Sequence, residues 1–171
     1  ELLGAARQHR ARLAWPRLLG APHQTQGQGR LGRPWVDVPG QTLMFSCGFE
    51  CSSQDASSLV ALGPALGISC VQALEGFLQD PHALRVKWPN DLMLGSGKVA
   101  GLLAQTTVRG NRMHLVIGMG LNLLGQAELT RELARDISAM APHLKPTAQV
   151  HDLVCALALA WQTTIETLID Q

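Results

Sequence analysis

Lys87-Trp-Pro-Asn-Asp-Leu-Met-Leu-Gly-Ser-Gly-Lys-Val-Ala-Gly-Leu-Leu103 decides the architecture. Its centre, Gly95-Ser-Gly-Lys98, carries part of a phosphate-loop pattern. That pattern requires a glycine where Leu92 stands, a Ser or Thr where Val99 stands, and a helix after the lysine. Val99-Ala-Gly-Leu-Leu103 reads instead as a strand, so Asp91 to Leu94, a turn at Gly95-Ser-Gly97 and Lys98 to Val108 form a hairpin. Leu84 to Trp88 is a short strand stopped by Pro89, and Met113 to Leu123 pairs back after a turn at Arg109-Gly-Asn111.

Outward from this hairpin, Thr42 to Phe49 reads as a buried strand with Leu43, Phe45 and Cys47 on one face. Ser57 or Ser58 is placed to cap a helix running to about Gln79, with Pro64 in its first turns. Thr147 is placed to cap a last helix carrying Val150, Leu153, Val154, Leu157, Trp161, Ile165 and Leu168 on one face. Residues 1–10 suggest a short helix, and Leu13 to Ala21 a strand interrupted by Pro16. Residues 22–41, rich in glycine and proline, read as a loop long enough to be functional.

The bulk properties narrow the classes. At 171 residues, one domain is expected, and 46% hydrophobic with 16% charged residues describes a packed rather than a disordered chain. A formal charge of +1 gives no global bias toward nucleic acid. Cys47, Cys51, Cys70 and Cys155 contain no Cys-x-x-Cys pair, which suggests reduced thiols and a cytoplasmic protein. The six histidines lack zinc spacing, so no structural metal is expected. The apolar run from Leu153 to Trp161 is too short to span a bilayer, and no signal peptide is apparent.

Gln24-Thr-Gln-Gly-Gln-Gly-Arg-Leu-Gly-Arg-Pro-Trp35 is the chemically richest segment. Gly27-Gln-Gly-Arg-Leu-Gly32 matches the dinucleotide fingerprint, with Glu50 at a plausible ribose distance. That fingerprint needs a helix at the glycines, and Pro34, Pro39 and Gly40 forbid one. What remains is a loop whose glycines admit a close ligand and whose arginines offer forked donors to an anion. Lys98, on a strand beside the small residues Ala100 and Gly101, is a fitting point charge for a phosphate. Asn90-Asp91 forms a turn that aims side chains. Gly118-Met-Gly-Leu-Asn122 ends a strand with an amide able to contact a base.

Gln24 to Trp35, Lys87 to Asp91, Lys98 to Gly101 and Gly118 to Asn122 occur in the order and spacing of the biotin protein ligase catalytic domain, which the chain closely resembles throughout. The resemblance implies an α+β fold, a mixed β-sheet with packed helices, like the class II aminoacyl-tRNA synthetases. It implies that biotin and MgATP give biotinyl-5′-adenylate, from which biotin passes to a lysine of a biotin carboxyl carrier domain. It makes Lys98 and Arg30 catalytic. It assigns Gln24, Gly27, Gln28, Gly29, Arg30, Lys98 and Gly101 to biotin. It assigns Arg33, Trp35, Asn90, Lys98 and Asn122 to the nucleotide, with Trp35 against the adenine. Asp91 would assist a metal ion or the acceptor lysine. Neither DNA nor a membrane is implied as a partner, and a homodimer is open.

The sequence departs from the family pattern at several points. Gln28 stands where an arginine is common, and Gln105 where an acidic residue is common. The Ser-Thr-Asn motif for the biotin ureido ring is expected at or before Glu1. An N-terminal helix-turn-helix and a C-terminal SH3-like domain are not found, so residues 1–171 are read as the catalytic domain alone. A lipoate or octanoate ligase, and a ligase-like binding module without catalysis, remain as alternatives. The first carries a different loop with Arg-Arg and a glycine run; the second is at odds with the presence of Arg30, Lys98, Asn90 and Asn122.

Overall fold

The computed structural model describes residues 17–170; the helix expected over residues 1–10 and the first part of the strand expected from Leu13 lie outside them. Six strands form one sheet in the order β1-β2-β6-β5-β4-β3: β1 Arg17–Ala21, β2 Thr42–Ser52, β3 Leu84–Lys87, β4 Asp91–Leu94, β5 Gly97–Arg109 and β6 Arg112–Asn122. All the strand pairings are antiparallel, and the one parallel element is a bridge between Lys98 and Ile137. The helices are α1 Leu62–Glu75, α2 Gln126–Leu133 and α3 Val150–Ile169. The expected α+β architecture is present, with β5 and β6 at the centre of the sheet and the short β4 and β3 completing one side.

Period-two patterning sets the sheet's two faces. Phe45, Cys47, Phe49 and Cys51 of β2 and Met113, Leu115, Ile117, Met119 and Leu121 of β6 are buried in one core. The helices deliver their apolar residues at four-residue spacing: Leu62, Leu66, Cys70 and Leu74 from α1, and Leu153, Leu157, Trp161 and Ile165 from α3. Trp161 stacks on Phe45 with ring centroids 5.2 Å apart, and its Nε1 donates to the Cys70 sulfur at 3.0 Å. Burial pushes the Cys70 thiol up to about 12, so it serves as packing rather than as a nucleophile. By length and hydropathy alone α3 could cross a bilayer, but its most apolar stripe is committed to this core.

Both expected helix caps differ from those observed. The first helical segment starts earlier, as a 3-10 stretch over Ser53–Ala61, because Ser52 and Asp55 form a reciprocal capping box. Ser52 accepts from the Gln54 amide at 3.2 Å, and Asp55 accepts from the Ser52 amide at 3.1 Å. The α-helical turns then run only to Glu75, short of Gln79. At α3 the capping position falls to Gln149 in an extended conformation, with no side-chain cap, rather than to Thr147. Helix α2 was not expected: it begins after Gly125, in the left-handed conformation, and ends at left-handed Ala134. Its Leu129 forms a second small core with Val38 and Ile137. That core ties the end of the 22–41 loop to the segment beside Lys98.

Candidate active site

A cleft of about 610 Å³ opens on the face of the sheet away from the main core. Its floor is β5 and β6, its rim on one side is Lys87 to Asp91, and its lid is the loop from Gln24 to Trp35. The loop is a folded unit. Trp35 N donates to Gly27 O at 2.8 Å, Gly29 N donates to Arg33 O at 2.7 Å, and Gln28 bridges Pro34. Leu31 at its tip has φ 59 and is 87% exposed. A left-handed non-glycine residue marks backbone held against its own preference, as occurs in ligand clamps.

Two glycines make the floor. Gly101 of β5 and Gly120 of β6 are direct cross-strand partners. The Trp35 ring lies on both: a Cβ at Gly120 would meet its Cε2 and Cζ2 at 2.3 Å, and one at Gly101 would meet Cζ3 at 3.0 Å. No side chain fits between ring and floor, which is why glycine is required at both positions. The Trp35 Nε1 is buried there without a hydrogen-bond partner. A buried orphan donor is costly, so the pocket is built to receive an acceptor.

Lys98 reaches this floor through a bulge. Asp91 pairs with Gly101 and Leu92 with Ala100, but Met93 pairs with Lys98, leaving Val99 as the extra residue. In a regular strand Lys98 and Gly101, three positions apart, would point to opposite faces; the inserted Val99 turns both to the cleft and buries itself completely. The Lys98 Nζ donates to Asp91 Oδ1 at 2.6 Å and sits 5.2 Å from the Trp35 ring centroid. Burial draws the Lys98 ammonium below its ordinary pKa; the hydrogen bond and charge of Asp91 oppose this, and Arg135 and Lys87 add to the lowering.

Gln24, Gln28, Gly29, Arg30, Arg33, Trp35, Asn90, Asp91, Lys98 and Gly101 all line the cleft. Arg30 donates to Asn90 Oδ1 at 3.4 Å, joining the lid to the rim, while Asn90 Nδ2 donates to Leu102 O at 2.7 Å and is thereby fixed on β5. Two expected residues stand elsewhere. Gly27 is not in the lining; a Cβ there would strike Trp35 O at 2.6 Å, so it permits the lid to fold. Asn122 is only 2% exposed and does not open to the cleft. It lies behind Lys98, with its Nδ2 3.5 Å from Lys98 O and its Oδ1 unpartnered, and its backbone O accepts from Met140 N at 2.8 Å. Asn122, expected to contact the nucleotide, thus stands behind Lys98 rather than in the cleft lining. Trp35, expected against the adenine, lies on the glycine floor that Gly101 was expected to clear for biotin.

Lys87, Gln105 and Arg135 also line the cleft and had not been assigned. Arg135 follows the unexpected helix α2, so no local motif marked it. Among the described residues Asp91 is the only carboxylate in the lining, and Lys98 already holds it. Among the described residues no group of three or more His, Cys, Asp or Glu side chains is placed to hold a metal. The donor set thus fits a divalent ion that arrives with phosphate ligands, rather than one caged by protein.

The antiparallel sheet, with helices on one face and the cationic, glycine-floored cleft on the other, has the class II synthetase-like fold of its structural neighbours. Residues 15–122 match the Biotin/lipoate A/B protein ligase family, and the chain belongs to that family. It is 30% identical over 167 residues to the biotin--[acetyl-CoA-carboxylase] ligase of Paracoccus denitrificans, covering 86% of this chain and 63% of that protein. It is 36% identical over 104 residues to the bifunctional ligase/repressor BirA of Escherichia coli K12, covering 60% of this chain and 32% of BirA. Among solved structures it resembles the biotin protein ligase from Aquifex aeolicus in complex with biotin and ATP, with a TM-score of 0.69 and 27% identity over 88% of this chain and 60% of that one. The chain therefore spans less than two thirds of the length of these relatives.

Proposed function

We propose that this chain is the catalytic unit of an ATP-dependent ligase that activates biotin as biotinyl-5′-adenylate and transfers it to a lysine of a biotin carboxyl carrier domain. The observation that carries the proposal is the bulge at Val99, which sets Lys98 between the glycine floor that the Trp35 ring covers and a group of cations. The names of the relatives support biotin and ATP as the ligands.

In this reading the bicyclic ring of biotin enters over Gly101 and Gly120, with Trp35 as its movable wall, and Gln24 and Gln28 offer polar groups to it. A biotin carboxylate oxygen attacks the α-phosphorus of ATP, the bond to the bridging oxygen breaks, and its electron pair leaves with pyrophosphate. Both reactants are anions, so the work of the protein is charge neutralisation and alignment. Lys98 and Arg30 serve the carboxylate and α-phosphate, Arg33 the phosphates, and Asn90 the nucleotide. Asp91 holds Lys98 in its charged form and in place. Magnesium accompanying ATP would supply further neutralisation. The lid then shields the mixed anhydride from water until an acceptor amine attacks its carbonyl carbon and AMP departs.

The test is a competition. The protein is incubated with MgATP, a biotin-accepting carrier domain, and biotin, lipoate or octanoate in turn, with pyrophosphate release and carrier labelling recorded. Biotin alone should support both. Labelling by lipoate or octanoate in its place assigns the protein to the other branch of the family, and the failure of every acid to release pyrophosphate would leave a binding module.

A further inference from the structure

We infer that Arg135 is a phosphate-binding residue, holding the part of the nucleoside triphosphate that leaves as pyrophosphate. This rests on the nucleotide reading above and adds a residue to it.

Arg135 is brought to the cleft by backbone rather than by chance. Helix α2 ends at Ala134 with φ 48 and ψ 40, a left-handed turn that redirects the chain. The next residues are clamped alongside β5: Lys98 N donates to Asp136 O at 3.1 Å, and Ser138 N donates to Lys98 O at 2.9 Å. Ser138 Oγ donates to Leu94 O at 2.8 Å, and Ile137 is buried in the second core. The fit is close enough that a Cβ at Gly97 would come within 2.7 Å of Ile137 C and Ser138 N. Arg135 is thus an exposed guanidinium on a fixed anchor, lining the cleft, with no ion-pair partner among the described residues.

Its place along the strand indicates what it meets. Ile137 pairs in parallel with Lys98, so Arg135, two residues earlier, lies beyond Lys98 on the side toward Ser96. Gly101 and the Trp35 slot lie on the other side of Lys98 along β5. With the biotin ring on the glycines and its carboxylate at Lys98, in-line attack on the α-phosphorus directs the leaving β- and γ-phosphates of ATP away from the glycines, toward Arg135. The charges agree: Arg30, Arg33, Lys87, Lys98 and Arg135 line the cleft against one carboxylate, Asp91. Arg135 also contributes to the lowered ionisation of Lys98, so the two cations feel one another and a polyanion relieves both. During adenylation no proton moves at Arg135; its guanidinium stays charged and neutralises the negative charge that builds on the departing pyrophosphate.

The experiment compares the wild-type protein with Arg135→Ala, Arg135→Lys and Arg131→Ala, the last an exposed arginine of α2 outside the cleft lining. Titration calorimetry with inorganic pyrophosphate and with biotin is run beside the KM for ATP. Arg135→Ala should weaken pyrophosphate binding and raise the KM for ATP about tenfold, the scale of one charged hydrogen bond in a partly wet site. Biotin affinity should not change, Arg135→Lys should recover part of the loss, and Arg131→Ala should match wild type. Unchanged pyrophosphate binding in Arg135→Ala, or equal losses for biotin and pyrophosphate, overturns the inference. If the wild type releases no pyrophosphate with any acid, the proposed ligase activity fails, and the pyrophosphate titration still decides the role of Arg135.

Discussion

Replacing Gly120 with alanine separates the function of the glycine floor from its contribution to stability. The new Cβ would lie 2.3 Å from Trp35 Cε2 and Cζ2. Carbon atoms in contact sit about 3.5–4.0 Å apart, so the ring must retreat by more than about 1 Å. Trp35 belongs to a loop lid, and its ring can retreat toward solvent. The fold therefore loses about 1 kcal/mol, equivalent to about 2–4 °C in Tm for a chain of this size. Gly97→Ala is the contrast: its Cβ would lie 2.7 Å from the backbone at Ile137 and Ser138, which cannot withdraw without breaking the clamp on Lys98. That substitution should cost more, about 3 kcal/mol. For the ligand the order reverses in interest. A methyl group on the slot floor overpacks a bound bicyclic ring by about 1.5–3 kcal/mol, which is roughly a 10- to 100-fold loss of biotin affinity. Titration calorimetry with biotin and a thermal melt on each variant give both quantities. Unchanged biotin affinity in Gly120→Ala would refute the slot as the biotin site; a Tm loss as large as that of Gly97→Ala would refute the movable ring.

Asp91→Asn removes the carboxylate that raises Lys98 against its burial. The Lys98 pKa should then fall further, and since adenylation uses the charged ammonium, the alkaline limb of the pH–rate profile should move to lower pH. An unmoved limb means that Lys98 does not set it. Lys98 also links pH to stability: with a folded pKa below the unfolded one, it disfavours the fold while charged, and this penalty is relieved as pH rises through the folded value toward the unfolded one. Arg30→Gly unties the lid from Asn90 and removes a charge from the adenylate, so reactive adenylate should escape and label lysines on bystander proteins; labelling confined to the carrier would place retention elsewhere. Trp161→Ala should lower stability by about 3–5 kcal/mol in chemical denaturation, because it empties a fully buried site stacked on Phe45. A loss below about 1 kcal/mol would show that the cavity collapses at little cost.

The hairpin and the lid were legible because their signals are local. Gly95-Ser-Gly97 between apolar runs specifies a turn, and Pro34, Pro39 and Gly40 exclude a helix after the lid glycines. The face to which Lys98 points was not legible from strand patterning: Val99-Ala-Gly-Leu-Leu103 does not announce a bulge, and only the pairing of Met93 with Lys98 reveals Val99 as extra. Asn122 reads as a ligand contact by residue type, but strand register together with Met140 N and Lys98 O draws it into the interior. Helix α2 escaped notice because it is short, starts after a glycine, and stops at an alanine rather than at a glycine or proline. Missing α2 meant missing Arg135. Trp35 was identified as a site residue, yet its seat on Gly101 and Gly120 depends on the cross-strand pairing of those glycines, separated by much of β5 and β6 in sequence.

In the proposed reaction Lys98, aimed by the bulge, joins the acid on the glycine floor to the α-phosphorus of ATP. Biotin-dependent exchange of labelled pyrophosphate into ATP measures that step in isolation, before any carrier is needed. The wild-type protein should exchange label only when biotin is present, and Lys98→Ala should reduce the exchange by about 100-fold or more while still binding biotin. Exchange that is independent of biotin, or that proceeds at the wild-type rate in Lys98→Ala, would contradict the account.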